Sequence, residues 1–171
     1  IGPTPSGHRA RRLLVQTCLN EISERSQTRS LTIHELGFGW GGLTIALMRV
    51  LNRSEIQGMP VSIKGYELSL IPYYVTRLLF SLRPSSFIAL SLLHQDGVEA
   101  LKQTQDGDLV LCYLCPRQMR RIADLSQSGT IPGALTLISL LFALPDHQPT
   151  RVTYLNNVYR DPVYLYQIGK R

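Results

Sequence analysis

The sequence predicts one α/β domain whose sheet is doubly wound, mostly parallel and closed by an antiparallel C-terminal hairpin strand. Its 171 residues are enough for one full core and too few for two ordinary domains. Short apolar runs alternate with helical stripes along most of the chain, as in successive βαβ units. The alternation ends after the fifth predicted strand, where two β runs joined by a polar turn predict a hairpin.

Residues 1–30 are predicted to form a leading segment with one amphipathic helix, and residues 31–171 the core of the same domain. The helix spans Arg9 to Glu24, where apolar side chains recur at helical spacing. Five strands follow, at Leu31–Leu36, Val61–Tyr66, Phe87–Leu93, Leu109–Leu114 and Leu135–Ser139. A helix follows each of the first four strands, at Leu43–Leu51, Pro72–Leu82, Val98–Gln103 and Pro116–Ser126. The closing β runs are Arg151–Leu155 and Val163–Ile168.

The composition is that of a globular protein, with 44% hydrophobic and 18% charged residues. The longest apolar run, Ile131 to Leu144, is interrupted by Pro132 and Gly133 and is shorter than the roughly 20 residues of a membrane span. We therefore expect no membrane span in this chain and a cytoplasmic location. The chain begins at Ile1 and not at methionine, so a membrane anchor could precede it. A location at the inner face of a membrane is therefore the alternative.

The net charge is +6, and part of it falls near the chain start, on Arg9, Arg11 and Arg12. No aromatic residues interleave with these arginines, as they would on a surface that stacks bases. We interpret them as a solvated helix face and do not expect nucleic acid as a partner. A binding face for an acidic protein or for lipid headgroups is the alternative.

The cysteines and histidines do not predict a metal site. Cys18, Cys112 and Cys115 are an odd number without a dense pattern, which indicates reduced thiols. Cys112 and Cys115 have metal-type spacing, but alternation along a strand would point their sulfurs to opposite faces. His34 and His94 stand near strand ends without carboxylates or cysteines at ligand spacing, so we interpret them as structural.

A glycine-rich run between the first strand and its helix is the strongest functional signal in the chain. Residues 35–42 read Glu-Leu-Gly-Phe-Gly-Trp-Gly-Gly. Glycines at a strand-to-helix turn allow positive φ and let a ligand approach the main chain.

Two cofactors fit such a loop. A nicotinamide dinucleotide is one, because residues 37–42 satisfy G-x-G-x-x-G and Glu67 could hold a ribose, although it lies farther on than the roughly 20 residues expected.

The other cofactor is S-adenosylmethionine (SAM). An acidic residue followed by three alternating glycines, as in Glu35, Gly37, Gly39 and Gly41, resembles the first motif of the class I, Rossmann-like methyltransferases. The resemblance implies that Glu35 meets the ammonium of the methionine tail and that the loop backbone approaches the tail. It also implies a ribose contact at Glu67 and an adenine contact at Asp96, which follow the next two strands. The other residues of the predicted binding set are Phe38, Trp40, Leu68 and Gly97.

The segments around these motifs carry a narrower resemblance. Residues 35–41, 65–69, 112–116 and 139–145 are similar to bacterial relatives of the mitochondrial lysine methyltransferases that modify ATP synthase c-subunit and the adenine nucleotide translocase. The resemblance implies a protein lysine as the methyl acceptor, and we assign Tyr113 to the acceptor channel. Phe38 departs from the pattern, where a small residue is commoner. Leu140 and Leu141 also depart, where polar residues are expected.

We therefore expect a SAM-dependent methyltransferase with a protein substrate. A nicotinamide-linked oxidoreductase is the enzyme alternative. A non-catalytic Rossmann-like module that binds a partner through the Arg9 to Arg12 face is the other alternative.

Overall fold

The computed structural model describes residues 7–24, 30–52, 60–82 and 88–169. Phe87 lies outside these ranges, as do residues 1–6 and 25–29 of the predicted leading segment. The helices within them are α1 (His8–Ser23), α2 (Gly42–Leu51), α3 (Leu70–Ser81), α4 (Gly97–Ala100) and α5 (Pro116–Gln127). The strands are β1 (Leu31–Leu36), β2 (Val61–Glu67), β3 (Ala89–His94), β4 (Leu109–Cys112), β5 (Leu135–Leu140), β6 (Arg151–Tyr154) and β7 (Pro162–Ile168).

Within the described residues the strands form one seven-stranded sheet in the order β3-β2-β1-β4-β5-β7-β6. The first five strands are parallel, and β7 inserts antiparallel between β5 and β6. The predicted α/β fold with an antiparallel C-terminal hairpin is therefore confirmed. The antiparallel direction of β7 follows from the connection that precedes it. The 21 residues between β5 and β7 hold one short strand and no helix, whereas a parallel strand requires a crossover connection that is usually helical.

Several predicted boundaries were wrong by one to two residues, and one error matters for the site. The strand β4 ends at Cys112 and not at Leu114. Helix α5 begins at Pro116 with Cys115 as its N-cap residue, so Tyr113 and Leu114 are needed for the turn. Tyr113 therefore lies just beyond the strand end. The predicted helix at Val98–Gln103 is a single turn, α4, continued by a 3₁₀ turn at Leu101–Gln103.

The two faces of the sheet carry separate apolar clusters. On one face α1 and α2 pack through Leu14 and Leu47 against strand residues such as Ile33. On the other face α4 and α5 pack through Val98 and Met119. Alternation along the strands supplies both clusters, because successive side chains point to opposite faces.

Strands β2 and β3 lie on one side of β1, whereas β4 and β5 lie on its other side. The strand order therefore reverses between β1 and β4, which are hydrogen-bonded neighbours. In open α/β sheets the crevice beyond the carboxyl ends of two such strands is where ligands bind. The carboxyl ends of β1 and β4 are the residues Glu35 to Leu36 and Leu111 to Cys112. None of the helices in the described ranges is long and apolar enough to cross a membrane.

Candidate functional site

The glycine loop connects β1 to α2 through three left-handed residues. Gly37, Gly39 and Gly41 have φ values of 74°, 52° and 72°. The N–H groups of Gly37 and Phe38 donate to the carbonyl of Tyr66 at 2.8 and 3.1 Å, which fixes the loop across the end of β2. A Cβ at Gly41 would lie 2.7 Å from a methyl carbon of Thr76, so glycine is also required there by packing on α3. The predicted loop geometry is therefore present, and it turns the backbone toward the crevice.

Glu35 is a buried carboxylate directly before this loop. The residue is 3% exposed, and the Thr44 hydroxyl on α2 donates to its carboxylate at 2.6 Å. Burial raises the pKa of Glu35 to about 7, against the opposing effect of the hydrogen bonds from Thr44. A cationic group beside Glu35 would favour the ionised carboxylate. The residue is thus suited to a ligand with positive charge.

Glu67 ends β2 and holds the loop from the other side. One carboxylate oxygen accepts the Gly39 N–H at 2.9 Å, and the other accepts the Ser69 N–H at 2.7 Å. Each oxygen retains a further lone pair, because an ionised carboxylate has about four acceptor positions. Glu67 can therefore position the loop and accept ligand hydroxyls at the same time.

Asp96 follows β3 and is already paired within the protein. One oxygen accepts the Val98 N–H at 2.9 Å and caps α4, and the other meets the Arg121 guanidinium at 2.7 Å. Arg121 also pairs with Glu99 at 3.1 Å. A Cβ at Gly97, a residue of the predicted binding set, would lie 3.2 Å from the side chain of Leu36. This glycine lets α4 begin directly against the end of β1.

Two adjoining cavities lie at the crevice, with volumes of about 170 and about 370 Å³. They share Leu36, Gly37 and Tyr113 in their linings. The predicted residues divide between them. Those in the smaller cavity are Glu35, Gly37, Phe38, Gly39 and Trp40. Those in the larger one are Gly37, Glu67, Leu68, Asp96 and Gly97. Gly41 lies outside both linings.

Tyr113 stands where the two cavities meet. It is half-buried, and its ring stacks on Phe142 with the centroids 6.5 Å apart and the planes at 14°. Phe142 is placed by a tight turn at the end of β5, in which its N–H donates to the Leu140 carbonyl at 2.9 Å. The central residue, Leu141, has a φ of 71°, which is strained for a side chain of this size. Leu140 and Leu141, which depart from the family pattern, thus form the turn that places Phe142 against Tyr113.

Helices α1 and α5 contribute three lining residues that were not predicted from the sequence. Arg11 and Leu14 of α1 line the smaller cavity, and Gln118 of α5 lines the larger one. Helical spacing marks Leu14 as a core residue, but no pattern in the sequence distinguishes Arg11 from its exposed neighbour Arg12. The interpretation of these arginines as one solvated face was wrong for Arg11, which is half-buried.

His34 has partners that its sequence neighbourhood does not show. Its Nδ1 and the Tyr66 hydroxyl are 3.0 Å apart, and its Nε2 and the Asp108 carboxylate are 2.9 Å apart. The partner carboxylate stands 74 residues away in the sequence, and the interpretation of His34 as a structural residue agrees with these contacts. Burial and the charge of Asp108 raise the pKa of Tyr66 to about 12. The three groups are buried and satisfy one another within the sheet.

The two cysteines with metal-type spacing are separated by the turn after β4. Cys112 is buried, and burial raises its pKa to about 12, whereas Cys115 is exposed. His94 contacts the Leu68 carbonyl through Nε2 at 2.9 Å. Over the ranges that the structure describes, no group of three or more histidine, cysteine or acidic side chains could hold a metal ion.

No protein-family model and no curated protein matches this chain, but solved structures share its fold. Monomeric WbdD matches with a TM-score of 0.61 at 17% identity, over 98% of this chain and 42% of WbdD. Magnesium protoporphyrin IX methyltransferase (ChlM) from Synechocystis PCC 6803, with bound SAM, matches with a TM-score of 0.58 at 12% identity, over 99% of this chain and 87% of ChlM. The CMeT domain of the citrinin polyketide synthase matches with a TM-score of 0.52 at 16% identity, over 92% of this chain and 52% of the other. The chain has the fold of these structures and spans less than half of WbdD.

Proposed function

We propose that this chain is a SAM-dependent methyltransferase. The observation that carries the proposal is the pair of adjoining cavities, with buried Glu35 in one and Glu67 and Asp96 in the other. A ligand with a cationic amino-acid tail at one end and an adenosine at the other matches that order of groups. The fold adds support, because ChlM shares it and was crystallised with bound SAM.

Five residues would hold the cofactor. Glu35 would accept from the ammonium of the methionine tail. The backbone at Gly37 and Gly39 allows the tail to approach without meeting a side chain. The free lone pairs of Glu67 would accept the ribose hydroxyls, and Asp96 would accept from the adenine amino group.

When bound, SAM supplies a methyl group on a sulfonium leaving group. The protein's part is therefore to align the acceptor with that methyl group and to exclude water. Tyr113 lies where the cavities meet and is held there by its stack on Phe142. We assign Tyr113 to the channel through which the acceptor reaches the methyl group.

We further propose that the acceptor is a protein lysine. The support is the similarity of residues 35–41, 65–69, 112–116 and 139–145 to lysine methyltransferases. An amine must be neutral to attack, and an apolar wall disfavours the ammonium form. The ring of Tyr113, backed by the stacked ring of Phe142, provides such a wall at the point where the two cavities meet.

Titration calorimetry with SAM, S-adenosylhomocysteine and NAD tests the cofactor. We expect binding of both adenosyl ligands and none of NAD. Binding of NAD alone would overturn the proposal in favour of an oxidoreductase, and binding of none of the three would favour a partner-binding module.

Treatment of a cell lysate with the enzyme and a labelled methyl donor tests the acceptor. Mass spectrometry should locate the label on lysine side chains of protein. Tyr113→Ala should reduce labelling by at least about tenfold, while Tyr113→Phe, which keeps the stack on Phe142, should retain most of it. Label on small molecules alone would refute a protein substrate.

A further inference from the structure

Arg11 is the one cationic side chain in the lining of the smaller cavity as the structure describes it. It reaches there because residue 42 is glycine. A Cβ at Gly42 would collide with the guanidinium nitrogen Nη1 and lie 3.5 Å from Cδ of the same side chain. The guanidinium of Arg11 therefore lies over the start of α2, beside the glycine loop.

Within the described ranges, the guanidinium of Arg11 makes no hydrogen bond and no ion pair. By contrast, Arg120, Arg121 and Arg151 each form an ion pair with a carboxylate. A guanidinium has five donors and stays charged at all ordinary pH values, so a half-buried one without partners lacks an acceptor. That acceptor would be an anionic group within the cavity.

Glu35 is the acidic residue of the same cavity, and it does not neutralise Arg11. The Glu35 carboxylate is bonded to Thr44, and burial raises its pKa, whereas a paired arginine would lower it. The cavity thus holds a carboxylate and a guanidinium that are not paired with each other. An amino-acid group, with its ammonium and its carboxylate on one carbon, is complementary to both.

We propose that Arg11 binds the carboxylate of the cofactor's methionine tail and positions that tail opposite Glu35. The assignment rests on the proposed function and gives the site a preference for adenosyl ligands that keep their carboxylate. A hydrogen-bonded ion pair of this kind contributes enough that its loss weakens binding by about tenfold to about a hundredfold.

The test compares two ligands on variants of the whole chain. S-adenosylhomocysteine carries the amino-acid group, and 5′-methylthioadenosine lacks it. Arg11→Ala should weaken S-adenosylhomocysteine by about tenfold or more and leave the affinity for 5′-methylthioadenosine within about twofold. Arg11→Lys should recover part of the loss. Arg12→Ala is the matched control, because Arg12 neighbours Arg11 and is exposed, and it should change neither affinity.

Gly42→Ala provides a second variant that leaves Arg11 in place. Its new methyl group would displace the guanidinium, so it should weaken S-adenosylhomocysteine in the wild-type background. In the Arg11→Ala background it should have no further effect, which is the signature of a shared mechanism.

Three results would overturn the assignment. An unchanged affinity of Arg11→Ala for S-adenosylhomocysteine would remove the carboxylate contact. An equal loss for both ligands would show that Arg11 stabilises the shape of the cavity and does not contact the carboxylate. Its role would then be structural, in the groove of about 610 Å³ between α1 and α2 that it also lines. If the unmodified chain binds neither ligand, the proposed function itself fails. Binding to the unmodified chain is therefore measured first, which separates this failure from a failure of the Arg11 assignment.

Discussion

The carboxylate of Glu67 accepts the backbone N–H of Gly39 at 2.9 Å, across 28 residues of sequence. This bond joins the end of β2 to the middle of the glycine loop. A second bond, from the Ser69 N–H to the other oxygen at 2.7 Å, holds the carboxylate in place. The residue predicted to bind a ribose therefore also sets the shape of the loop that would meet the tail of the same cofactor.

Glu67→Ala should reduce both stability and cofactor affinity. It leaves the Gly39 and Ser69 N–H groups without their acceptor, which costs about 1–3 kcal/mol of the free energy of unfolding. Affinity for S-adenosylhomocysteine should fall by at least about tenfold, since the loop and the ribose contact are lost together. Urea unfolding and calorimetry measure the two effects. Glu24→Ala, at the exposed C-cap residue of α1, is the control. Unchanged affinity of Glu67→Ala would refute the ribose role.

The turn at Leu141 should tolerate glycine and reject proline. Leu141 has a φ of 71°, and its N–H donates to the Pro162 carbonyl at 2.8 Å. Proline fixes φ near −65° and has no N–H, so Leu141→Pro should lower the free energy of unfolding by about 3 kcal/mol or more. Leu141→Gly relieves the left-handed backbone and loses a partly buried side chain, so it should stay within about 1 kcal/mol of the parent. Equal losses for the two variants in urea unfolding would contradict this account.

Local patterns in the sequence predicted the parts of the fold and site that depend on neighbouring residues. The strand β1 has the predicted bounds, because the apolar run that forms it ends directly before Gly37, where the strand also ends. The positive φ values of the loop follow from its alternating glycines. Glu67 and Asp96 could be placed at one sheet edge, because parallel strands end on the same side.

Contacts between distant residues could not be predicted in this way. Asp108 lies 74 residues from His34, and only the register of β1 beside β4 brings the two side chains together. Arg121 reaches Asp96 from α5 by the same kind of long-range contact. Arg11 has the sequence environment of a surface arginine, and its position depends on the missing side chain at Gly42. The unpredicted part of the site is thus the part built by side chains from separate elements.

Protonation of Glu35 should make the free chain more stable in mild acid. Its pKa in the folded chain is about 7, above its ordinary value of 4.5, so between these values the folded chain holds a proton that the unfolded chain releases. The stabilising effect is complete below about pH 4.5 and is lost as the pH rises through about 7, with a total on the order of 3 kcal/mol. Glu35→Gln cannot titrate and should lack this contribution. Urea unfolding of both chains at pH 5 and pH 8 measures it, and equal pH dependences would contradict the raised pKa.

The same proton should appear in cofactor binding. An ammonium placed beside Glu35 favours the ionised carboxylate and lowers its pKa, so binding at pH 6 should release a proton from Glu35. By linkage, the affinity for S-adenosylhomocysteine should rise between pH 5.5 and pH 7.5, by up to about tenfold per pH unit while Glu35 is protonated in the free chain. Calorimetry at pH 6 in two buffers of different ionisation enthalpy counts the released proton. In Glu35→Gln both the proton release and the rise in affinity should be absent. A wild-type affinity that does not change over this range would show that the ammonium does not lie beside Glu35.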